Sequence, residues 1–79
     1  MRKRDELTDP RSCMSRARDD ELTFVLLARD RAAPVAVRAW IEERVRLGKN
    51  VRNDPQIVEA ERWAAEVEAE QRAATVAGQ

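Results

Sequence analysis

Apolar residues change rhythm three times along this chain, and each rhythm implies a different element. Leu22 to Leu27 (LTFVLL) is almost continuously apolar, too short and too uniform for periodicity to assign. Ala33, Val37, Trp40, Ile41 and Val45 then recur at intervals of three and four, with Arg38, Glu42, Glu43 and Arg46 on the opposite side. That is the signature of an amphipathic helix. Asp30 is its expected N-cap, Pro34 falls in the first turn where a missing N–H removes no helical bond, and Gly48 ends it. Asp54-Pro55 restarts the chain as cap and N1 proline, and Ile57, Ala60, Trp63, Ala64 and Val67 carry a second helix towards Gly78. The five-residue link between the helices predicts an antiparallel hairpin.

The expected fold class is therefore all-α: an antiparallel two-helix hairpin preceded by a short apolar segment, helical or strand-like. Thr23, Phe24 and Val25 favour a strand, whereas Leu26, Leu27 and Ala28 favour a helical turn. In either state the segment should be buried, and as a strand it would have to pair with another subunit. Residues 1–20 hold Pro10 and eleven charges with no apolar period, so a flexible N-terminal tail is expected there. Residues 21–76 form the single small helical domain, and 77–79 a disordered C-terminus.

Size makes self-association the natural source of stability. A chain of 79 residues makes at most one domain, which buries only about 60% of the surface its unfolded form exposes. With one cysteine, Cys13, and no histidine, neither an internal disulfide nor a zinc site is available. Alanine on the second helix allows close approach but buries little area, so a homo-oligomer is expected. No apolar run is long enough for a bilayer span or follows Arg2-Lys3-Arg4 as in a secretory signal, so a cytoplasmic location is expected. Met14 is a candidate internal start.

The net charge of zero conceals an asymmetry. Seven basic residues oppose three acidic ones between 29 and 52, and six acidic oppose two basic between 53 and 79. One helix can complement the other, and the basic half can also face an anion. Arg29-Asp30 has two such readings. Asp30 caps the helix while Arg29 bridges to the acidic helix; or Arg29 offers its planar fork to a phosphate or carboxylate, with Asp30 orienting it or accepting from a ligand amine. Gly48-Lys49-Asn50, flanked by Arg44 and Arg52, is a helix C-cap or a basic rim on which Lys49 meets phosphate and Asn50 a base edge. It lacks the first glycine and terminal Ser/Thr of a Walker loop. Trp40 and Trp63 are core residues, or one indole borders a cleft and stacks on a nucleobase. With no histidine or tyrosine and no paired-carboxylate spacing, catalysis is not expected. Sequence-specific DNA binding is not expected either, because the helix that would read the groove is the acidic one.

From Asp20 to about Gln71 the chain resembles small uncharacterised proteins encoded in phage and prophage genomes. The resemblance rests on Phe24, Val25, Leu26, Arg29, Asp30, Ala33, Pro34, Val37, Trp40, Arg44, Gly48, Lys49, Asn50, Asp54, Gln56, Ile57, Glu59 and Ala60. Ile41 stands where such proteins often have alanine, and Ala64-Ala65-Glu66-Val67-Glu68 replaces an Ala-x-x-Met-Glu-like segment. The resemblance implies a phage setting. By analogy of class, it implies a non-enzymatic anti-defence protein that sequesters a nucleotide second messenger of host immunity, such as a cyclic nucleotide or an ADP-ribose derivative. Arg29, Asp30, Trp40, Arg44, Lys49 and Asn50 are then the expected ligand-binding residues, with no cofactor and no metal. The alternatives are a small inhibitor that binds a host defence protein through a helical surface, or a structural or regulatory phage protein.

Overall fold

The computed structural model describes residues 2–77. Four helical segments follow one another: α1 (Lys3–Thr8), α2 (Cys13–Arg16), α3 (Ala33–Arg46) and α4 (Pro55–Ala77), with no strand among the described residues. The all-helical class read from the sequence is the class observed. Ala77, expected in a disordered end, is the last residue of α4, and 78–79 lie outside the described residues.

Helix α3 begins slightly later than the capping pattern suggested. Its N-cap is Ala32, without a side-chain cap bond, and Pro34 sits in the first turn. Asp30 instead accepts the Ala32 N–H on Oδ1 at 2.8 Å, while its carbonyl accepts the Ala33 N–H at 3.0 Å. The carboxylate therefore closes a turn leading into the helix, a displacement of the kind helix boundaries commonly show. At the other end, Gly48 has φ +73°, the left-handed region that favours glycine. Its N–H donates to the Val45 carbonyl at 3.0 Å and that of Lys49 to the Arg44 carbonyl at 3.1 Å. These two bonds make a Schellman cap, which satisfies carbonyls that a frayed end would leave to water.

Helix α4 starts at Pro55, as expected. The Asp54 carbonyl accepts the Val58 N–H, but its carboxylate turns back and accepts the Val51 N–H at 3.0 Å. Asp54 thus ties the link to the helix start. The seam between the long helices is narrow. Ala33 and Ile41 from α3 and Ile57, Ala64 and Val67 from α4 are buried, and Val37, Val45 and Ala60 are half-buried. On α4 the interval pattern 57, 60, 64, 67 is that of a coiled-coil seam. Among the described residues Ile41 and Ile57 are the large apolar side chains buried to 2% exposure or less, each contributing about 1.5–3 kcal/mol. The core is thin.

Polar pairs flank that seam. Arg38 makes a two-pronged ion pair with Glu68, with Nε–Oε2 3.0 Å and Nη2–Oε1 2.7 Å. Arg52 grips Glu42 in the same way, at 2.9 and 2.8 Å, and lies 3.9 Å from Glu61. Near the start of α3, Gln71 Nε2 donates to the carbonyls of Ala28 (3.0 Å) and Asp30 (2.9 Å).

Two features of the N-terminal third differ from expectation. Residues 3–16, placed in a tail, contain α1 and α2, joined through Ser12. Its Oγ donates to the Glu6 carbonyl at 2.5 Å and accepts the Ser15 N–H at 3.1 Å, and the residue is buried. The second difference is larger. The segment 22–27 has neither helix nor strand, and it is exposed instead of buried: Leu22 99%, Phe24 88%, Val25 62% and Leu27 50%. Only Leu26 is half-buried. The two long helices already satisfy each other along their seam, and among the described residues α1 and α4 border the strap without covering it.

Candidate functional site

Five of the six residues singled out in the sequence fall into two groups at opposite ends of α3, and Trp40 lies between them. Ala33 and Arg46 are separated by ~20 Å at 1.5 Å rise per residue. Arg29 and Asp30 lie before the first turn, whereas Arg44, Lys49 and Asn50 surround the last. One anion cannot be held by both groups of the same chain. Arg29 is exposed and forms no side-chain hydrogen bond or ion pair among the described residues, and Asp30 is hydrogen-bonded to the Ala32 N–H and not to Arg29. Asp30 Oδ1 is engaged by the backbone of the turn, and among the described residues no hydrogen bond or ion pair joins Asp30 to Arg29.

The other group is a connected network. Arg44, half-buried, donates from Nε to Asn50 Oδ1 at 2.6 Å, and its guanidinium carbon lies 5.6 Å from the centroid of the Trp40 ring. That separation is within reach of a cation–π contact. Asn50 Nδ2 donates onward to Asp54 Oδ2 at 3.0 Å and Gln56 Oε1 at 3.3 Å. Both ends of the Asn50 amide are therefore engaged within the chain, and it positions Arg44 instead of presenting a free edge to a base. Only Nε of Arg44 is used in these bonds, which leaves its two Nη groups for a ligand. Lys49 is exposed on the turn, and its ammonium has no partner among the described residues.

Trp40, expected on the core face, is 39% exposed. It shares an open cleft of about 660 Å³ with Trp63, Leu26, Val37, Gln56 and Ala60; Arg11, Arg16 and Glu59 also line it, whereas Arg44, Lys49 and Asn50 do not. One residue explains why the indole stays outside: Ile41, its neighbour, takes the seam position. Gln56 and Trp63 were not among the expected ligand residues. Their signal was faint, since Gln56 follows Pro55 by one residue and Trp63 falls on the apolar period of α4. Along the strap runs a second open groove of about 850 Å³, lined by Val25, Leu26 and Leu27, by Trp63, Val67, Glu66 and Glu70 of α4, and by Arg2, Lys3, Asp5, Glu6, Leu7 and Met14 of the N-terminal segment.

Ion pairing removes several basic groups from consideration. Arg52 holds the Glu42 carboxyl below its usual range, Arg46 does the same for Glu43, and Arg38 for Glu68, in each case chiefly by direct hydrogen bonding. Of the seven basic residues between 29 and 52, Arg38, Arg46 and Arg52 are thereby engaged. Among the described residues no group of three or more Cys, Asp or Glu is placed to hold a metal, and no helix is long and apolar enough to cross a membrane. No protein-family model, curated protein or solved structure matches the chain.

Proposed function

We propose that this is a non-enzymatic phage anti-defence protein that binds and sequesters an anionic nucleotide second messenger. Its unit is the antiparallel α3–α4 hairpin, which the opposite order of the α3–α4 pairings supports, and it works as a homo-oligomer in the host cytoplasm. The observation that carries the reading is the cleft bordered by both indoles and by Arg11 and Arg16, with the Arg44 guanidinium 5.6 Å from the Trp40 ring centroid. About 660 Å³ lies within the range of small-molecule sites, roughly 300–1,000 Å³. An indole supplies a face for a nucleobase, the Gln56 amide a hydrogen-bonding edge, and Arg11 and Arg16 in the lining, with Arg44 beside Trp40 and Lys49 on the following turn, the charge for phosphate. Asn50 holds Arg44 in place, and Arg29 and Asp30 drop out of the ligand set.

Thermal-shift measurements with cyclic di- and trinucleotides and ADP-ribose derivatives test this directly. A ligand at a hundredfold over its Kd stabilises the native state by ~2.7 kcal/mol, a plain shift in so small a domain. Arg44→Ala and Trp40→Ala should abolish the shift while leaving the far-UV spectrum helical. Absence of any shift across the panel, or a shift that survives both substitutions, would sink the proposal. The exposed strap favours a second reading, direct inhibition of a host defence protein. A host protein that co-elutes with the chain, in the absence of any nucleotide response, would move the conclusion there.

A further inference from the structure

We propose that residues 22–27 are the contact through which two copies of this chain pair, strap against strap across a two-fold axis. This deepens the homo-oligomer element of the proposed function and rests on it. Three observations converge on the same surface. The first is the exposure of Leu22, Phe24, Val25 and Leu27, a contiguous apolar stretch. The second is its backbone. No N–H from Leu22 to Leu27 donates a hydrogen bond among the described residues, and of their carbonyls only that of Leu27 accepts one, from the Asp30 N–H. A run of open donors and acceptors beside apolar side chains is a template for pairing with another segment of the same kind.

The third observation is charge, and it selects the occupant. Arg29 and Arg31 follow the strap without ion-pair partners, and Glu66 and Glu70, on the groove beside it, have none either among the described residues; with Asp5 and Glu6 they outnumber Arg2 and Lys3 in the groove lining. By contrast, Glu61 and Glu68 already face Arg52 and Arg38. Gln71 fixes the far end of the strap by bonding the Ala28 and Asp30 carbonyls, so strap and acidic groove are presented together. Each copy thus carries an apolar strap with a basic end and an acidic groove beside it. A two-fold contact matches both halves at once, since whatever residue i meets, its counterpart meets symmetrically. In that arrangement Phe24 and Leu22 are covered by the second copy, and Arg29 of each copy lies against Glu66 of the other.

Sedimentation velocity on the full chain at micromolar concentration is the test. The unmodified protein should sediment as a dimer or a multiple of it. Phe24→Glu, and independently Leu22→Glu at a side chain with no fold contact to lose, should give monomers of unchanged helical signal. Arg29→Glu and Glu66→Arg should each weaken the dimer by about tenfold or more. An equimolar mixture of the two should recover it, because both ion pairs are then restored with reversed sign. A monomeric unmodified protein would overturn this interface and the homo-oligomer reading together. A dimer that survives Phe24→Glu and Leu22→Glu would leave the oligomer standing and overturn the strap as its contact, as would a mixture showing no recovery. Strap protection from exchange that appears only with a host protein present would assign the surface to that protein and overturn pairing between copies.

Discussion

Residues 33–77 and residues 2–32 are held by different kinds of interaction. In the first region the two isoleucines bury against a neighbouring helix, and ion pairs join positions as distant as 38 and 68. In residues 2–21 no hydrogen bond spans more than nine positions, and Ser12 is the only buried residue. Long-range contacts repay the entropy of ordering a chain because one helix fixes many residues of the other. Local bonds such as Ser12 to Glu6 fix only their own turn. The C-terminal region is therefore the cooperative unit, and the N-terminal third is held by its own local bonds.

The sharpest way to break this comparison is a matched pair of truncations. Ile57→Ala, at a side chain with 0% exposure, should cost about 2–5 kcal/mol and remove much of the helical signal in a urea titration. Leu7→Ala, 61% exposed on α1, should change stability by no more than about 0.5 kcal/mol. Equal costs would mean that the N-terminal third belongs to the same core.

Smaller effects sharpen the boundary. Gly48→Ala meets no atom within 4 Å, so its cost should be purely conformational, about 1–2 kcal/mol, and Gly48→Asn should cost less. A negligible change for Gly48→Ala, read from the urea midpoint, would show that the cap does not hold α3 closed. Gln71→Ala removes two bonds between α4 and the strap's end and should cost about 1–2 kcal/mol. Its clearer reading is faster amide exchange at residues 28–33 with α3 and α4 otherwise protected. Uniform acceleration along the chain would contradict a clamp between two regions.

Acid should produce the smallest effect. Glu42, Glu43 and Glu68 are held below their ordinary value of 4.5 by Arg52, Arg46 and Arg38. Between that value and the lowered ones the unfolded chain binds more protons, so stability falls as pH drops through the folded values. These pairs are exposed, and salt should blunt the effect. Thermal melts of the protein and of Glu68→Gln between pH 6 and 2.5 check it, with the variant expected to show the shallower dependence.

Much of α3 and α4 was legible because their determinants are local. Pro55 can open a helix but not continue one, Gly48 adopts a φ that side chains disfavour, and apolar spacing of three and four marks one face. The site was less legible. Arg29 and Arg44 share a charge and a sequence neighbourhood, and only the direction of α3 reveals that they sit at opposite ends. Asn50 reads as a free amide until the turn brings Arg44, Asp54 and Gln56 to its two ends.

What the sequence alone determined, then, is where the two long helices run and most of the residues that line their seam, Trp40 being the exception, since periodicity and capping act within a few residues. What only the tertiary structure decided is which side chains are left over. Trp40 and Trp63, twenty-three positions apart, meet at one cleft because α3 and α4 pack with Ile41 and Ile57 inside. The strap 22–27 stays exposed for the same reason: an apolar segment is buried only if a partner surface remains, and these two helices have already used theirs on each other.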